Sequence, residues 1–357
     1  MNEQAGVPLA DLTTMRVGGP ADRVVTVTTT DELVDAVREV DDADEPLLVV
    51  AGGSNLVVAD DGFRGTVVRV ATTGVTRESA DSCAGAMVRV SAGEGWDELV
   101  ALAVTEGWAG VEALSGIPGL TGATPIQNVG AYGQDVSQTV AQVRTWDRQE
   151  QAVRTFFNDG CGFGYRSSRF KGDTRYVVLD VLFQLELADV SRPVAYRALA
   201  DGLGVELGAT APLGDVREAV LEQRRMRGMV LDPDDHDTWS CGSFFTNPIL
   251  PANEFDALVA RAATVLGAEA PAPPRFVEPD GRVKTSAAWL IEQAGFGKGF
   301  GLPAPAALST KHTLALTNRG GATASDVVAL ARQLRDGVLD RFGVRLVNEP
   351  VLVGAEL

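Results

Sequence analysis

The sequence contains few of the residues that build metal sites and disulfide frameworks. It has three cysteines and two histidines among 357 residues. Cys83, Cys161 and Cys241 are odd in number and widely spaced, which disfavours a zinc ribbon or a disulfide framework. We expect free thiols without a catalytic role. His236 and His312 are isolated in the sequence, so no metal site is predicted.

Long apolar runs and an excess of basic charge are also missing. No unbroken apolar window of about 18 residues occurs, so no membrane insertion is expected. The N-terminal stretch lacks the basic and apolar regions of a secretory signal, which predicts a cytoplasmic protein. The formal net charge is −17. Because an acidic surface repels phosphate backbones, no nucleic-acid partner is expected.

The N-terminal region has the pattern of a strand–helix–strand unit. Residues 23–28 alternate apolar and polar side chains, as a strand does. The next segment repeats apolar residues on one helical face, and Thr30 is its predicted N-cap. Residues 46–50 follow as a short buried strand. This order predicts layers of helices and strands.

Further elements are predicted along the rest of the chain. Helices are expected from Gly95 to a stop at Gly107, from Gly214, from Thr285 or Ser286 to a stop at Gly295, and over residues 324–343. Strands are expected over residues 175–187 and in two short runs that flank residues 348–350. Residues 269–281 are expected to form a loop, and the acidic, proline-broken residues 232–237 suggest a domain boundary.

The first glycine-rich segment is AGGSNLVV, which begins at Ala51 directly after a predicted strand. Its glycines allow the backbone to approach a ligand closely, and free amides there could bind phosphate oxygens. The alternative is a tight turn with Asn55 in a left-handed conformation.

The second segment runs from Leu114 to Gly133 and carries glycines throughout. It does not match Gly-x-Gly-x-x-Gly, so a Rossmann dinucleotide site is not supported. Because so many glycines cost chain entropy, the segment suggests a long loop that wraps a cofactor pyrophosphate and ring. The alternative is a surface Ω-loop.

Residues 14–20, the AGGSNL segment and residues 115–133 together resemble the FAD-binding signatures of the MurB family, the UDP-N-acetylenolpyruvoylglucosamine reductases. The resemblance extends from about Leu12 to Gly354. It implies an α+β protein with the FAD-binding fold of the vanillyl-alcohol-oxidase/MurB type, made of two α+β subdomains, and a C-terminal α+β substrate-binding domain. It also implies non-covalent FAD and NADPH as co-substrate.

The resemblance gives domain bounds and flavin contacts. The expected bounds are 1–70 and 71–235 for the two FAD-binding subdomains, 236–343 for the substrate-binding domain, and 344–357 for C-terminal strands that return towards the active site. The residues implied to bind the cofactor are Arg16, Gly52, Gly53, Ser54, Asn55, Leu56, Ser115, Gly116, Pro118, Gly119, Gly122, Ala123, Pro125, Gln127, Asn128, Gly130, Ala131 and Tyr132.

Three more segments, residues 164–171, 241–248 and 346–350, match the family in order. They imply that Arg166, Ser243 and Glu349 are catalytic. The implied reaction reduces UDP-N-acetylglucosamine enolpyruvate to UDP-N-acetylmuramate, with hydride from flavin N5 to C3 and a proton from Ser243 to C2.

Each implied catalytic residue suits its task. Arg166 would hold the substrate carboxylate in two hydrogen bonds. We hypothesise that burial and the neighbouring like charge raise the pKa of Glu349 until it donates a hydrogen bond. Without the family match, the residues alone favour structural roles: Ser243 as an N-cap, Arg166 as a surface ion-pair partner and Glu349 as a strand-edge charge.

Tyr165, Asn247 and Lys284 are candidate contacts for the substrate diphosphate. Tyr196 stands where the longer subclass carries a substrate-covering tyrosine loop, and the alternative is a helix-start tyrosine packed on the core. One departure is Val230, which stands where that subclass often has a lysine, so Arg227 is a candidate replacement. The protein is expected to be a monomer.

Two other classes remain open at this point. One is an oxidase or dehydrogenase of the same fold, which would often tether FAD through His or Cys. The other is a non-catalytic protein that binds nucleotide sugars. The residues GSFFTNP from Gly242 favour the reductase.

Overall fold

The computed structural model describes residues 1–81, 84–267 and 269–357. The strands are β1 (Asn2–Ala5), β2 (Ala21–Val27), β3 (Leu47–Val50), β4 (Leu56–Val58), β5 (Phe63–Val70), β6 (Val75–Asp81), β7 (Gly85–Ser91), β8 (Trp108–Ala109), β9 (Gly130–Ala131), β10 (Gln134–Asp135), β11 (Val140–Asp147), β12 (Ala152–Phe157), β13 (Tyr176–Leu187), β14 (Ile249–Leu250), β15 (Phe276–Val277), β16 (Val283–Lys284), β17 (Ala306–Leu308), β18 (Leu316–Asn318) and β19 (Val351–Val353). The helices are α1 (Thr30–Asp42), α2 (Trp96–Thr105), α3 (Arg197–Leu203), α4 (Leu213–Arg225), α5 (Ala252–Leu266), α6 (Ala287–Gln293) and α7 (Ala324–Phe342).

The chain divides into two compact units. Unit 1 comprises residues 1–7, 21–53 and 63–230, and unit 2 comprises residues 8–20, 54–62 and 231–357. Two short N-terminal segments therefore belong to the same unit as the C-terminal part of the chain. The domain bounds expected from the sequence stay a prediction.

Unit 1 contains two main sheets. The first has the order β1-β2-β5-β3, in which β1 pairs antiparallel with β2 and the other pairs are parallel. The second has the path β12-β11-β13-β7-β6, and β8 also pairs with β13. Their apolar side chains share one core with α1 and α2, because alternate strand residues and one face of each helix turn inward.

A smaller core in unit 1 lies around α3 and α4. It contains Val194, Leu199 and Val216, and Tyr132 packs against it. The apolar face of α4 thus lies beside the second glycine-rich segment. Its last turn carries Arg224 and Arg225, as is favourable at a helix C-terminus.

Unit 2 is built around α7. Thr323 and Asp326 form a capping box at its start, and Asp60 accepts the N–H of Ala324 at 2.7 Å. Helices α5 and α6 and the pair β17–β18 share its core. Strand β4 enters the unit from the N-terminal part of the chain and pairs in parallel with β19.

Most predicted elements are confirmed within a residue or two, and mixed helix and strand content confirms the α+β class. The N-cap of α1 is a correction: Thr29, and not Thr30, has the extended backbone and accepts the N–H of Glu32. Residues 344–347 are not a strand, and the predicted loop at 269–281 contains the short strand β15. Within the described ranges, no helix is long and apolar enough to cross a membrane.

Candidate active site

The first glycine-rich segment follows β3, as predicted. Its left-handed residue is Gly53, with φ of 60°, so the alternative with a left-handed Asn55 is wrong. A Cβ on Gly52 would lie 2.8 Å from the Cα of Gly119. The backbones of the two glycine-rich segments therefore meet in unit 1, and only glycine permits that approach.

The second segment is largely buried and anchored, which excludes a surface Ω-loop. The carboxylate of Glu112, itself fully buried, accepts the N–H of Gly110 at 2.6 Å and the side-chain amide of Gln134 at 2.8 Å. Gln134 in turn accepts the N–H of Ala113 at 2.9 Å. Ser115 donates its hydroxyl to the carbonyl of Glu112 at 2.7 Å, so that hydroxyl braces the loop.

Glu112 was not predicted as a site residue. The one available signal was an acidic residue within the apolar run GVEAL. A carboxylate at such a position is buried only if hydrogen-bond donors surround it.

Arg166 lies at the corner of a tight turn in which Gly164 and Ser167 exchange backbone hydrogen bonds. Its backbone is left-handed, with φ of 49°. The guanidinium donates to the carbonyls of Asn128, at 3.4 Å, and Gly130. The structure thus brings Arg166 against the second glycine-rich segment.

The side chain of Asn128 also links the second glycine-rich segment to the Arg166 turn. Its side chain donates to the carbonyl of Gly164 at 3.0 Å and accepts the N–H of Ser137 at 3.0 Å. The residue is 4% exposed. Because both ends of its amide are engaged with backbone, Asn128 fixes the distance between the glycine-rich segment and the Arg166 turn.

The segments that carry Ser243 and Glu349 are hydrogen-bonded to each other in unit 2. The N–H of Glu349 donates to the carbonyl of Phe244 at 2.8 Å, and the N–H of Phe244 donates to Leu314 at 2.8 Å. Phe244 and Phe245 are buried, which fixes the backbone on one side of Ser243. Gly242, with φ of 70°, makes the bend on the other side.

The end of the first glycine-rich segment lies beside Glu349 in unit 2. Asn55 donates its side-chain N–H to the carbonyl of Glu349 at 3.3 Å, and the N–H of Val351 donates to the carbonyl of Asn55 at 2.9 Å. Leu56 then starts β4 opposite Val351. Unit 2 therefore contains some of the residues expected to bind the flavin and two of the three expected catalytic residues.

The candidate substrate residues occupy both units. In unit 1, Tyr165 is 38% exposed, and Tyr196 is 47% exposed at the start of α3 with its ring edge-on to Tyr132 at 5.4 Å. Tyr196 is thus a helix-start residue but is not packed in the core. In unit 2, Asn247 accepts the N–H of Ala287 at 3.0 Å, and Lys284 pairs with a glutamate.

Two arginines, Arg224 and Arg227, lie near Tyr132. Burial raises the pKa of Tyr132, and the charges of Arg224 and Arg227 oppose that rise. Burial lowers the pKa of Arg224 to about 10. Its Nε has no hydrogen-bond partner among the described residues, whereas Arg227 donates to the side chain and carbonyl of Gln223. Arg224 is therefore a cation that sequence reasoning did not select.

Cys161 and Cys241 are buried free thiols, as predicted, and Cys83 lies outside the described residues. Burial raises the pKa of Cys241 to about 12 and that of Cys161 to about 11. Since the thiolate is the reactive form, neither cysteine is poised as a nucleophile.

The residues of unit 1 fit a dinucleotide cofactor. The close approach of Gly52 and Gly119 leaves a stretch of backbone without side chains. Next to it, the hydroxyl of Thr121 is buried and has no partner among the described residues. A glycine-lined surface with an unsatisfied polar atom suits a ligand that brings its own hydrogen-bonding groups.

Comparison with known proteins adds independent findings. A family model described as UDP-N-acetylenolpyruvoylglucosamine reductase, C-terminal domain, matches residues 232–353, and one described as FAD binding domain matches residues 21–155. The chain is 58% identical over 351 residues to the UDP-N-acetylenolpyruvoylglucosamine reductase of Thermobifida fusca, which covers 98% of each protein. It is 56% identical over 359 residues to that of Streptomyces avermitilis, covering 100% of this chain and 96% of the relative.

A solved structure extends the likeness to the fold. The UDP-N-acetylenolpyruvylglucosamine reductase of Thermus caldophilus is 25% identical, with a TM-score of 0.65, and the match covers 99% of both chains. The expected fold, an FAD-binding domain with a C-terminal domain of the same family, is confirmed.

Proposed function

Because the chain belongs to the UDP-N-acetylenolpyruvoylglucosamine reductase family, we propose that it is the FAD-dependent oxidoreductase that reduces UDP-N-acetylglucosamine enolpyruvate to UDP-N-acetylmuramate. NADPH is the reductant, and the reaction is a cytoplasmic step of peptidoglycan precursor synthesis. The observation that carries the proposal is 58% identity across 98% of the chain to a reductase of this name. The arrangement of Arg166, Ser243 and Glu349 within their units supports it.

The flavin would be held non-covalently by the two glycine-rich segments and by Arg16. The glycine contact between Gly52 and Gly119 and the buried hydroxyl of Thr121 support this assignment. When bound, FAD would supply the chemistry of hydride transfer from NADPH to C3 of the enolpyruvyl group. The remaining work is done by side chains of the protein.

Arg166 stabilises the negative charge that develops on the substrate carboxylate and C2. A guanidinium is permanently charged, and its planar fork matches a carboxylate in geometry. The contacts to the carbonyls of Asn128 and Gly130 fix its orientation before substrate binds. Such preorganised charge acts without reorganisation during the reaction.

Ser243 donates a proton to C2, and Glu349 hydrogen-bonds the same intermediate. The backbone hydrogen bond between Glu349 and Phe244 supports a joint role, because it ties the carboxyl-bearing residue to the neighbour of Ser243. A serine hydroxyl is a weak acid, so its position matters more than its pKa. We propose that Glu349 acts in its protonated form.

Tyr165, Tyr196, Asn247 and Lys284 are proposed to bind the substrate. Tyr196 would close over the substrate as a lid that keeps water from the reduced flavin. Its exposed position at the start of α3 supports this role, because it leaves the ring accessible to a ligand. Arg224 and Arg227 are proposed to supply the charge of the missing lysine, and the protein is proposed to act as a monomer.

The test is an NADPH oxidation assay on the purified protein. We expect oxidation to depend on UDP-N-acetylglucosamine enolpyruvate, and the product mass to rise by the mass of two hydrogens. UDP-N-acetylglucosamine serves as the control substrate. A yellow protein whose NADPH oxidation does not depend on the enolpyruvyl sugar would indicate another flavoenzyme of this fold. A colourless protein would indicate a non-catalytic binding protein.

Matched variants test the site itself. Arg166→Ala is expected to lower kcat by about 10²–10³-fold, as loss of a charge-stabilising donor does. Arg169→Ala is the control, because Arg169 lies in the same segment but its guanidinium stacks 4.4 Å from the ring centre of Phe156 and is exposed. Equal losses in both variants would contradict the role of Arg166.

A further inference from the structure

We propose that Trp239 and Asn318 are positioning residues that hold the guanidinium of Arg16 ready for the diphosphate of the flavin. The inference rests on the proposed function, in which Arg16 contacts FAD. It concerns two residues of unit 2 that the sequence did not mark. All the contacts that carry it lie within unit 2.

Arg16 is a cation with no anionic partner among the described residues. It is half-buried, and no carboxylate or hydrogen-bond acceptor contacts its guanidinium within the described part of the chain. Its Cζ lies 3.8 Å from the ring centre of Trp239. Stacking uses the face of the guanidinium and leaves its N–H edge directed away from the ring. That edge is the part of an arginine that binds phosphate.

The backbone of Arg16 has a strained conformation that hydrogen bonds from Asn318 stabilise. Its φ is 54°, in the left-handed region that a side chain of this size rarely adopts. The side-chain amide of Asn318 donates to the carbonyls of Met15 and Arg16 at 3.2 and 3.0 Å. Met15 is fully buried beside it. The turn is thereby fixed in a conformation that it would not keep alone.

Asn318 also fixes the other member of the stack. Its own N–H donates to the carbonyl of Trp239 at 3.0 Å. The hydroxyl of Thr14 donates to the carbonyl of Ser240 at 2.7 Å, so the Arg16 turn and the Trp239 segment are joined a second time. Residue 318 therefore sets the backbone of both stacked residues, and is 3% exposed where it does so.

The expected consequence is coupling between residues 16 and 239 in flavin binding. Trp239→Leu should weaken FAD binding by about two- to tenfold, the range of a cation–π contact. Arg16→Met should weaken it by about tenfold or more, because it removes charged hydrogen bonds to the ligand. If Trp239 acts through Arg16, Trp239→Leu has no further effect in the Arg16→Met background.

The experiment is a double-mutant cycle on the apoprotein. The dissociation constant of FAD is measured from flavin fluorescence for the wild type, both single variants and the double variant. Thermal melting of each apoprotein reports folding. Asn318→Ala, measured with and without Arg16→Met, should show the same dependence. If Trp239→Leu does not fold, Trp239→Phe, which keeps a weaker ring face, replaces it in the cycle.

The outcomes separate this inference from the proposed function. Loss of affinity from Trp239→Leu that vanishes in the Arg16→Met background supports the inference. Equal losses in both backgrounds, or a lower melting temperature with unchanged affinity, would overturn it and leave the reductase assignment standing. A wild-type apoprotein that does not bind FAD would overturn both.

Discussion

The replacement of Asn128 tests how the Arg166 turn is held. Asn128→Ala removes the hydrogen bonds to the carbonyl of Gly164 and the N–H of Ser137, each 3.0 Å long. It also leaves a non-glycine residue at φ of 49°. Asn128→Gly removes the same hydrogen bonds without that strain.

The expected loss of folding free energy in each variant follows from these contacts. Each backbone group left without a partner costs about 1 kcal/mol or more at a partly buried site. Left-handed backbone in alanine adds roughly 1 kcal/mol. We therefore expect a loss of about 3 kcal/mol for the alanine variant and about 2 kcal/mol for the glycine variant. Because the entropy of unfolding grows with chain length, a loss of 1 kcal/mol lowers the melting temperature of a 357-residue chain by about 1–2 °C.

The assay is thermal melting together with NADPH turnover. Because a small displacement of a positioned group costs about 10²-fold in rate, turnover should fall in the same order as stability, with alanine lowest. An alanine variant that melts and turns over like the wild type would show that Asn128 does not hold the Arg166 turn. Equal losses in the alanine and glycine variants would show that backbone strain is irrelevant.

Three further predictions concern the contact between Gly52 and Gly119, stability in acid, and Cys241. Gly52→Ala should weaken FAD binding, measured by flavin fluorescence, because its Cβ would lie 2.8 Å from the backbone of Gly119. Gly214→Ala is the control and should bind FAD normally, because its Cβ would meet no atom within 4 Å. Equal FAD binding by both variants would contradict a role of the Gly52–Gly119 contact in holding the cofactor. Hydrogen bonds from Arg175 hold the pKa of the Asp147 carboxyl well below its usual range. The ionised carboxylate therefore contributes fully to the free energy of unfolding above the unfolded pKa of about 3.9, and this contribution is lost as pH falls through the folded pKa. Melts from about pH 7 to about pH 3 should show Asp147→Asn destabilised most at neutral pH, with a gap to wild type that narrows in acid; a constant gap would refute this. Cys241→Ala should keep full turnover, since burial raises the pKa of that thiol to about 12 and leaves it unreactive; a large loss would give the sulfur a role.

The sequence predicted elements best where local signals agreed. Helix α7 has a capping box at Thr323 and an apolar face, and its predicted span is confirmed. Three successive threonines, residues 28–30, lie at the start of α1, so composition could not separate Thr29 from Thr30 as the cap. Backbone angles decide that choice, and they depend on how the preceding strand enters the helix.

The site was predicted in its residue types but not in its bracing. Family motifs pointed to Arg166, Ser243 and Glu349, and their roles stay a prediction. The hydrogen bond between Asn55 and Glu349 joins residues 294 apart in sequence, which no local pattern reveals. The structure likewise gives Asn128 a bracing contact in addition to its expected place beside the flavin.

The most direct test of the account is a stopped-flow experiment on Ser243→Ala, with flavin absorbance as the probe and Cys241→Ala as the neighbouring control. NADPH is mixed first, and the UDP enolpyruvyl sugar second. We predict that NADPH bleaches the flavin of Ser243→Ala normally, whereas reoxidation by the sugar slows by about 10²–10⁴-fold. Reoxidation at the wild-type rate would contradict the proposed role of Ser243, and a wild-type flavin that the sugar never reoxidises would contradict the proposed reaction.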